Sequence, residues 1–326
     1  MLIYVEKKAL TYPITQQILA KFSSQNVIEI QHYKNLFDQN MGDYPLLDCI
    51  ILAKQDNISI LDTPPNYGFP GKSFFFKPAI NCISHCEYCY LQGTFRNRFP
   101  VFFVNYDEMQ LAISDKINLL RTSGYDGQIT FYASNYADLL ATEHLTNFHQ
   151  HFIPFFEQFD SVLMETRTKS GNINSLLPHL TKGVNNTEFA FSLSPISIAQ
   201  KYEHGTASLP NKLQAIQTLL SAGARVGLRF LPLLPVPNCP SEYKNLIQTV
   251  RESIDIQCIS SIFIAPLIYN HSDYAKILQK YPNSPLYTSL HKTSDNLMKM
   301  PPSFYDEMEF IFRSGFPEKD ILRDFR

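Results

Sequence analysis

Apolar residues recur along this chain in two alternating rhythms. Short runs rich in β-branched and aromatic side chains mark strands, and longer stretches with apolar positions every three to four residues mark amphipathic helices. A helical stretch over Ile14 to Ser23 begins just after Pro13, followed by strand-like runs at Asn26 to Ile30 and Leu46 to Lys54. This preamble ends in a loop-forming cluster, Thr63-Pro64-Pro65-Asn66-Tyr67-Gly68-Phe69-Pro70-Gly71. Beyond it the pattern predicts extended segments at Phe74 to Ile80, Phe99 to Val104, Gln128 to Tyr132, Ser161 to Thr166, Glu188 to Leu193, Arg225 to Leu231 and Ser260 to Pro266. Helices are predicted at Tyr106 to Thr122, Ala141 to Phe159, Ile173 to Leu180, Leu209 to Ala222 and Glu242 to Ile254.

Strands that alternate with helices favour a parallel sheet. Six βα units are too few to close an eight-stranded barrel, so the expected fold class is α/β, a partial (β/α)6 barrel with an N-terminal α/β extension. Its site belongs at the C-terminal ends of the strands. The expected organisation is an extension over 1–70, the barrel over 71–270 and a helical segment over 271–326. The last helix opens at Pro302-Ser303-Phe304 and stops near Gly315-Phe316-Pro317.

With 44% hydrophobic and 18% charged residues in 326, the chain reads as a folded globular protein rather than a disordered one. A formal net charge of −2 supplies no global basic field, so any contact with nucleic acid must be local. The N-terminus lacks the basic start and long apolar stretch of a secretory signal, and no run is long enough for a membrane span. A cytoplasmic location with no membrane association is expected.

Six cysteines stand at 49, 82, 86, 89, 239 and 258, three of them within eight residues. A disulfide framework is unexpected in a reducing compartment, so the tight trio points to a metal or cluster. The scattered Cys49, Cys239 and Cys258 read as buried thiols. The trio lies in Asn81-Cys82-Ile83-Ser84-His85-Cys86-Glu87-Tyr88-Cys89-Tyr90-Leu91-Gln92, with spacing CxxxCxxC, on a loop after an apolar run.

Three thiolates on one loop can each take one iron of a [4Fe-4S] cubane and leave the fourth iron open. An open iron can be chelated by the amino and carboxylate groups of S-adenosylmethionine. Structural zinc instead wants four closed ligands, usually as CxxC pairs, and no second pair exists in the sequence. His85 sits inside the loop, but its neighbour Cys86 makes simultaneous tetrahedral ligation awkward.

CxxxCxxC followed by an aromatic residue resembles the signature of the radical S-adenosylmethionine (SAM) superfamily, and the resemblance extends to the spore photoproduct lyase family. Similar stretches are Val27 to Phe37, Tyr88-Cys89-Tyr90-Leu91-Gln92, Phe103-Val104-Asn105, Asp138 to Thr146, Thr168-Lys169, Phe191-Ser192 and Glu203-His204-Gly205-Thr206. They cover about residues 25 to 235, and the cluster motif is the most specific. The resemblance implies a partial barrel of the radical SAM type and hydrogen abstraction from a thymine dimer photoproduct in DNA. It also implies Cys82, Cys86 and Cys89 as ligands of a [4Fe-4S] cluster, Tyr88 and Tyr90 in radical relay, and Lys169 and Ser192 as residues that help hold SAM. DNA and an electron donor such as a flavodoxin or ferredoxin are the implied partners.

The match breaks at two positions. Asn135 stands where the family carries a cysteine that returns a hydrogen to the product radical, and an amide cannot replace a thiol there. Ala137 replaces a serine associated with SAM. Either Cys239 or Tyr90 supplies the hydrogen, or the chain is a radical SAM enzyme on a different substrate. A non-catalytic metal-binding module is the alternative from another class. Lys72, Lys77, Arg96 and Arg98 flank the cysteine loop, and Arg225 and Arg229 flank a later strand end, where they could hold phosphates.

Overall fold

An eight-stranded sheet carries the fold of this chain, whose computed structural model describes residues 1–37, 49–65, 67–95, 99–180 and 184–323. From one edge its strands are Ile321–Arg323, Ser261–Pro266, Arg225–Leu233, Thr187–Ser192, Val162–Thr168, Ile129–Tyr132, Lys72–Phe75 and Leu61–Asp62. Every neighbouring pair is parallel except the last. Parallel neighbours need crossovers: the helices Tyr106–Thr122, Phe148–Phe156, Leu209–Ser221 and Cys239–Ser253 lie in four of the six, Pro302–Gly315 lies in the one that leads to Ile321–Arg323, and among the described residues the link between Val162–Thr168 and Thr187–Ser192 has only a 3-10 turn. The curled sheet is the partial barrel expected from the alternation of strands and helices. Its central strands are buried on both faces, as in Thr187–Ser192, where every residue is buried, Glu188 included.

A second sheet of five strands covers the N-terminal side, in the order Val27–Ile30, Leu2–Glu6, Cys49–Ala53, Val101–Phe103, Ala79–Ile80. Its last two strands come from beyond residue 70, so the chain crosses between the sheets after that point. The apolar run Phe74 to Ile80 is therefore split between them, with Lys72–Phe75 in the barrel and Ala79–Ile80 antiparallel to Val101–Phe103. Pro78 lies at the break, where its missing N–H cannot continue a ladder. The run Leu46 to Lys54 forms a strand over Cys49–Ala53, and its first residues lie outside the described ones.

Two predicted helices differ. Ala141 to Phe159 is not one helix: a turn and the short helix Glu143–Thr146 end at Asn147, whose φ of 50° is left-handed, and Phe148–Phe156 starts afresh. The Glu143 carboxylate accepts the backbone N–H of His149 at 3.0 Å and of Gln150 at 3.3 Å, satisfying first-turn donors of the second helix. Ile173 to Leu180 yields only the 3-10 turn Leu177–His179, because Pro178 disfavours the α conformation at Leu177 and lacks an N–H. The C-terminal segment is not purely helical either. It holds an antiparallel sheet of Tyr269–Asn270, Leu297–Lys299 and His291–Lys292 before the expected Pro302–Gly315 helix, and Ile321–Arg323 joins the barrel edge. No helix among the described residues is long and apolar enough to cross a membrane.

Candidate active site

A cavity of about 480 Å³ opens at the C-terminal ends of the barrel strands. Tyr132, Glu165, Arg167 and Lys169 reach it from strand ends, Tyr88, Cys89 and Tyr90 from the cysteine loop, and Tyr269 from the far side.

The cysteine loop is fastened at several points. Asn81 enters it with φ 66° and donates its amide N–H to the Phe99 carbonyl at 2.9 Å. Cys86 and His85 pair antiparallel with Glu203 and His204, the Glu87 N–H donates to the Tyr202 carbonyl at 2.8 Å, and the Gln92 side chain donates to the Cys86 carbonyl at 2.6 Å. From the C-terminal segment, the hydroxyls of Tyr269 and Tyr287 donate to the carbonyls of Tyr88 and Glu87 at 2.6 and 3.0 Å. Apart from that of Asn81, each of these bonds holds the loop by its main-chain groups.

Burial pushes the Cys82 thiol up to about 12, with Asp138 adding to the effect. Burial does the same to Cys86, also to about 12, against the pull of Lys169. A buried thiolate needs compensating positive charge, which iron supplies, and the Ser84 N–H already points at Cys82 Sγ from 3.4 Å. Among the described residues no three His, Cys, Asp or Glu side chains converge on one point as a single ion requires. Donors to a polynuclear cluster each meet a different iron, and the trio fits that group better than tetrahedral zinc.

Beside the loop, Glu203 gathers four partners that the sequence reading did not connect. Its carboxylate accepts from Lys169 Nζ at 2.9 Å, Ser194 Oγ at 2.6 Å and the Tyr88 hydroxyl, and lies 3.5 Å from Lys212 Nζ. Burial alone would raise this carboxyl, but Lys169 and Lys212 outweigh it and hold the group at about 2. Burial pushes the Lys169 ammonium down, and Glu203 more than offsets that, so its pKa is raised and it stays charged at the cavity wall. Asp138 fixes the turn beneath it, accepting the Lys169 N–H at 2.7 Å and the Thr168 hydroxyl at 2.8 Å.

The cavity brings together Cys89, Tyr88, Tyr90, Lys169 and Asn135. The Tyr90 hydroxyl donates to the main-chain carbonyl of Asn135. Ser192 closes its strand, buried, and is not among the lining residues; Ala137 is also absent from the lining. Cys239 is buried in the first turn of the Cys239–Ser253 helix and does not line the cavity, which removes it as the thiol facing the barrel mouth. Cys49 is buried as expected, whereas Cys258 is exposed, because the turn Ile256–Cys258 directs it toward Asp255 at the surface.

Arg225 and Arg229 do not form a phosphate surface. Arg229 is 0% exposed inside the barrel and bonded to Glu165 and Glu188, while Arg225 donates to Glu188 at 2.9 Å. The missed signal was opposite charges embedded in neighbouring apolar strands, which must pair when buried. Arg167 continues this network into the cavity: its Nε donates to Glu165, its plane lies over the rings of Tyr67 and Tyr132, and its terminal amino groups have no acceptor among the described residues. Lys72 is exposed, Lys77 lies over the Tyr136 ring, and Arg96 and Arg98 fall outside the described residues.

Comparison with known proteins bears on the same geometry. The chain is 26% identical over 284 residues to the spore photoproduct lyase of Bacillus subtilis (strain 168), which covers 81% of this chain and 79% of the relative. It is 26% identical over 293 residues to that of Geobacillus sp. (strain Y412MC61), covering 87% and 83%. A solved structure of spore photoproduct lyase complexed with dinucleoside spore photoproduct superposes with a TM-score of 0.84 at 20% identity, covering 99% of this chain and 98% of that one, which shows the shared fold. The spore photoproduct lyase family model matches residues 1–299, the span that contains both sheets' first strands, the cysteine loop and the whole cavity wall, and the chain belongs to that family of radical SAM lyases.

Proposed function

We propose that this chain repairs a thymine dimer photoproduct in DNA, with Cys82, Cys86 and Cys89 as ligands to three irons of a [4Fe-4S] cluster. A structure of a related lyase holds S-adenosylmethionine together with a dinucleoside spore photoproduct, in support of both small-molecule assignments. When bound, a [4Fe-4S] cluster with one open iron and S-adenosylmethionine supply the one-electron chemistry of hydrogen abstraction. The observation that carries the reading is the convergence of Cys89, Tyr90 and Lys169 on one cavity at the strand C-terminal ends.

The chain's own residues then have separable tasks. Lys169, held charged by Glu203, meets the carboxylate of the methionine end of SAM. The rings of Tyr67, Tyr132 and Tyr90 offer apolar faces to the two pyrimidines, and the terminal amino groups of Arg167 are donors for a ring carbonyl. Tyr90 presents the hydroxyl at the wall where Asn135 has no S–H to give. Partners are DNA and an electron donor such as a flavodoxin or ferredoxin.

The test is anaerobic reconstitution, iron and sulfide analysis, and assay on a dinucleotide thymine photoproduct. Cubane stoichiometry, reductive SAM cleavage and thymine release are expected, and Ala at 82, 86 or 89 abolishes all three. Zinc in place of iron, or a cluster indifferent to SAM, overturns the reading. Asn135 at the cavity wall favours one second reading, a radical SAM enzyme on a different substrate, for which SAM is cleaved but no thymine is released.

A further inference from the structure

On the other side of the wall that carries Asn135 lies a second pocket, of about 460 Å³. Asn135 lines the main cavity and the next residue, Tyr136, lines this one, so consecutive residues of one segment face the two spaces. The second pocket differs in chemistry. Lys34, Lys54 and Lys77 line it, together with Asp56 as its one carboxylate and the rings of Tyr33, Phe95 and Tyr136.

Its charges are not balanced within the pocket. Lys54 is paired with Glu108 at 2.9 Å, and Asp56 with Lys8, both partners lying outside the lining. Lys34 and Lys77 make no ion pair among the described residues. Lys77 is instead held over the Tyr136 ring, 4.8 Å from its centre, and Phe95 packs edge-on against Tyr136 with centres 6.4 Å apart. Two ammonium groups without a carboxylate partner among the described residues, one of them over the Tyr136 ring, are thus concentrated in one hollow of a chain whose net charge is −2.

We propose that this pocket is a phosphodiester subsite that holds a nucleotide of the DNA strand flanking the lesion lodged in the main cavity. The assignment rests on the photoproduct reading for what fills the cavity, and on its own residues for what fills the pocket. Cations that meet a phosphate and an aromatic face that stacks a base are the two elements of single-strand recognition. A concave pocket of this size takes a nucleotide, whereas the acidic face of an electron-carrier protein would need a broad, flat surface.

The test compares native protein with the double variant Lys34→Gln/Lys77→Gln and with Tyr136→Leu, each checked by thermal melting. Binding of an undamaged single-stranded oligonucleotide is followed by fluorescence anisotropy across salt concentrations. Turnover is followed on the dinucleoside photoproduct, which has no phosphate, and on the same lesion within an oligonucleotide. The double variant is expected to bind the oligonucleotide about tenfold more weakly at low salt and to flatten the plot of log K against log salt by about 1.4, twice the ~0.7 per single-stranded phosphate. Turnover of the dinucleoside stays as in the native protein.

Equal losses on both substrates, or an unchanged salt slope, overturn the subsite. So does slower SAM cleavage with a flavodoxin but not with dithionite, which would make the lysines a reductant dock. If native protein leaves the dinucleoside intact while the double variant still loses oligonucleotide binding, the photoproduct reading fails and the subsite stands.

Discussion

Glu165 and Glu188 lie in register on neighbouring parallel strands, and the single guanidinium of Arg229 donates to both, at 2.6 and 2.5 Å. Two carboxylates side by side inside a barrel repel each other unless a cation is shared between them. Arg229→Met is therefore expected to destabilise the fold by about 3–5 kcal/mol, because it removes the one cation that both buried carboxylates share and leaves each with only its outer partner, Arg167 for Glu165 and Arg225 for Glu188. The triple variant Arg229→Met/Glu165→Gln/Glu188→Gln should recover much of that loss. Urea denaturation of the three proteins measures it, and a single variant as stable as native would show that the network carries little.

Glu143 makes a second buried polar contact, with His149 Nδ1 at 2.6 Å, and also accepts the N–H groups that open the Phe148–Phe156 helix. Burial would raise its carboxyl, but His149 and these N–H donors outweigh that and hold it below its ordinary 4.5. A carboxyl with a lowered folded-state pKa contributes stability above the unfolded value and loses it as pH falls through the folded value. Glu143→Gln is thus expected to cost about 2–4 kcal/mol at neutral pH. The gap between native and variant should narrow in denaturation curves taken progressively below pH ~4. A gap independent of pH would mean that shape, not charge, is what Glu143 contributes.

The strand and helix order was legible because the barrel strands are short runs rich in apolar and aromatic residues and the crossover helices carry an apolar stripe, as in Tyr106–Thr122, whose buried residues Tyr106, Met109, Ile113 and Ile117 follow helical spacing. The cysteine loop was legible from spacing alone. What pattern could not show was where a continuous period is interrupted by one residue: Asn147 breaks a helix whose apolar residues run on past it, and Pro78 hands one apolar run to two sheets. Nor could it assign partners to charges. Glu203 stands 34 residues from Lys169 and 115 from Tyr88, and only the pairing of its short strand with Cys86 brings them together. Arg229, exposed by default in a sequence reading, is buried because two strands supply its carboxylates.

Tyr88 and Tyr90 flank Cys89 but face different neighbours. The Tyr88 hydroxyl is tied to the charged Glu203, and the Tyr90 hydroxyl to a main-chain carbonyl at the cavity wall. Tyr88→Phe removes a donor from a buried carboxylate and is expected to cost about 1–2 kcal/mol of stability. Tyr90→Phe should cost less in stability and lower the thymine formed per SAM cleaved. Thermal melting and product ratios on the dinucleotide separate the two effects; equal behaviour of the variants would assign the tyrosines a common packing role.

The same hydrogen bond makes Asn135 open to a clean substitution. Tyr90 is anchored to the carbonyl of residue 135 and not to its side chain, so Asn135→Cys leaves that anchor in place while putting a thiol on the cavity wall. An S–H bond gives up hydrogen to a carbon radical far more readily than an amide N–H does. If return of hydrogen limits this chain on a thymine photoproduct, Asn135→Cys should raise thymine released per SAM cleaved severalfold. Asn135→Ser, of similar size but without sulfur, should not. Quantifying thymine and 5′-deoxyadenosine in the same reaction gives the ratio directly. A ratio identical in native, Cys and Ser proteins would show that Tyr90, or another group at the wall, already returns the hydrogen efficiently, and combining Asn135→Cys with Tyr90→Phe would then tell whether the new thiol can take over when the phenol is gone.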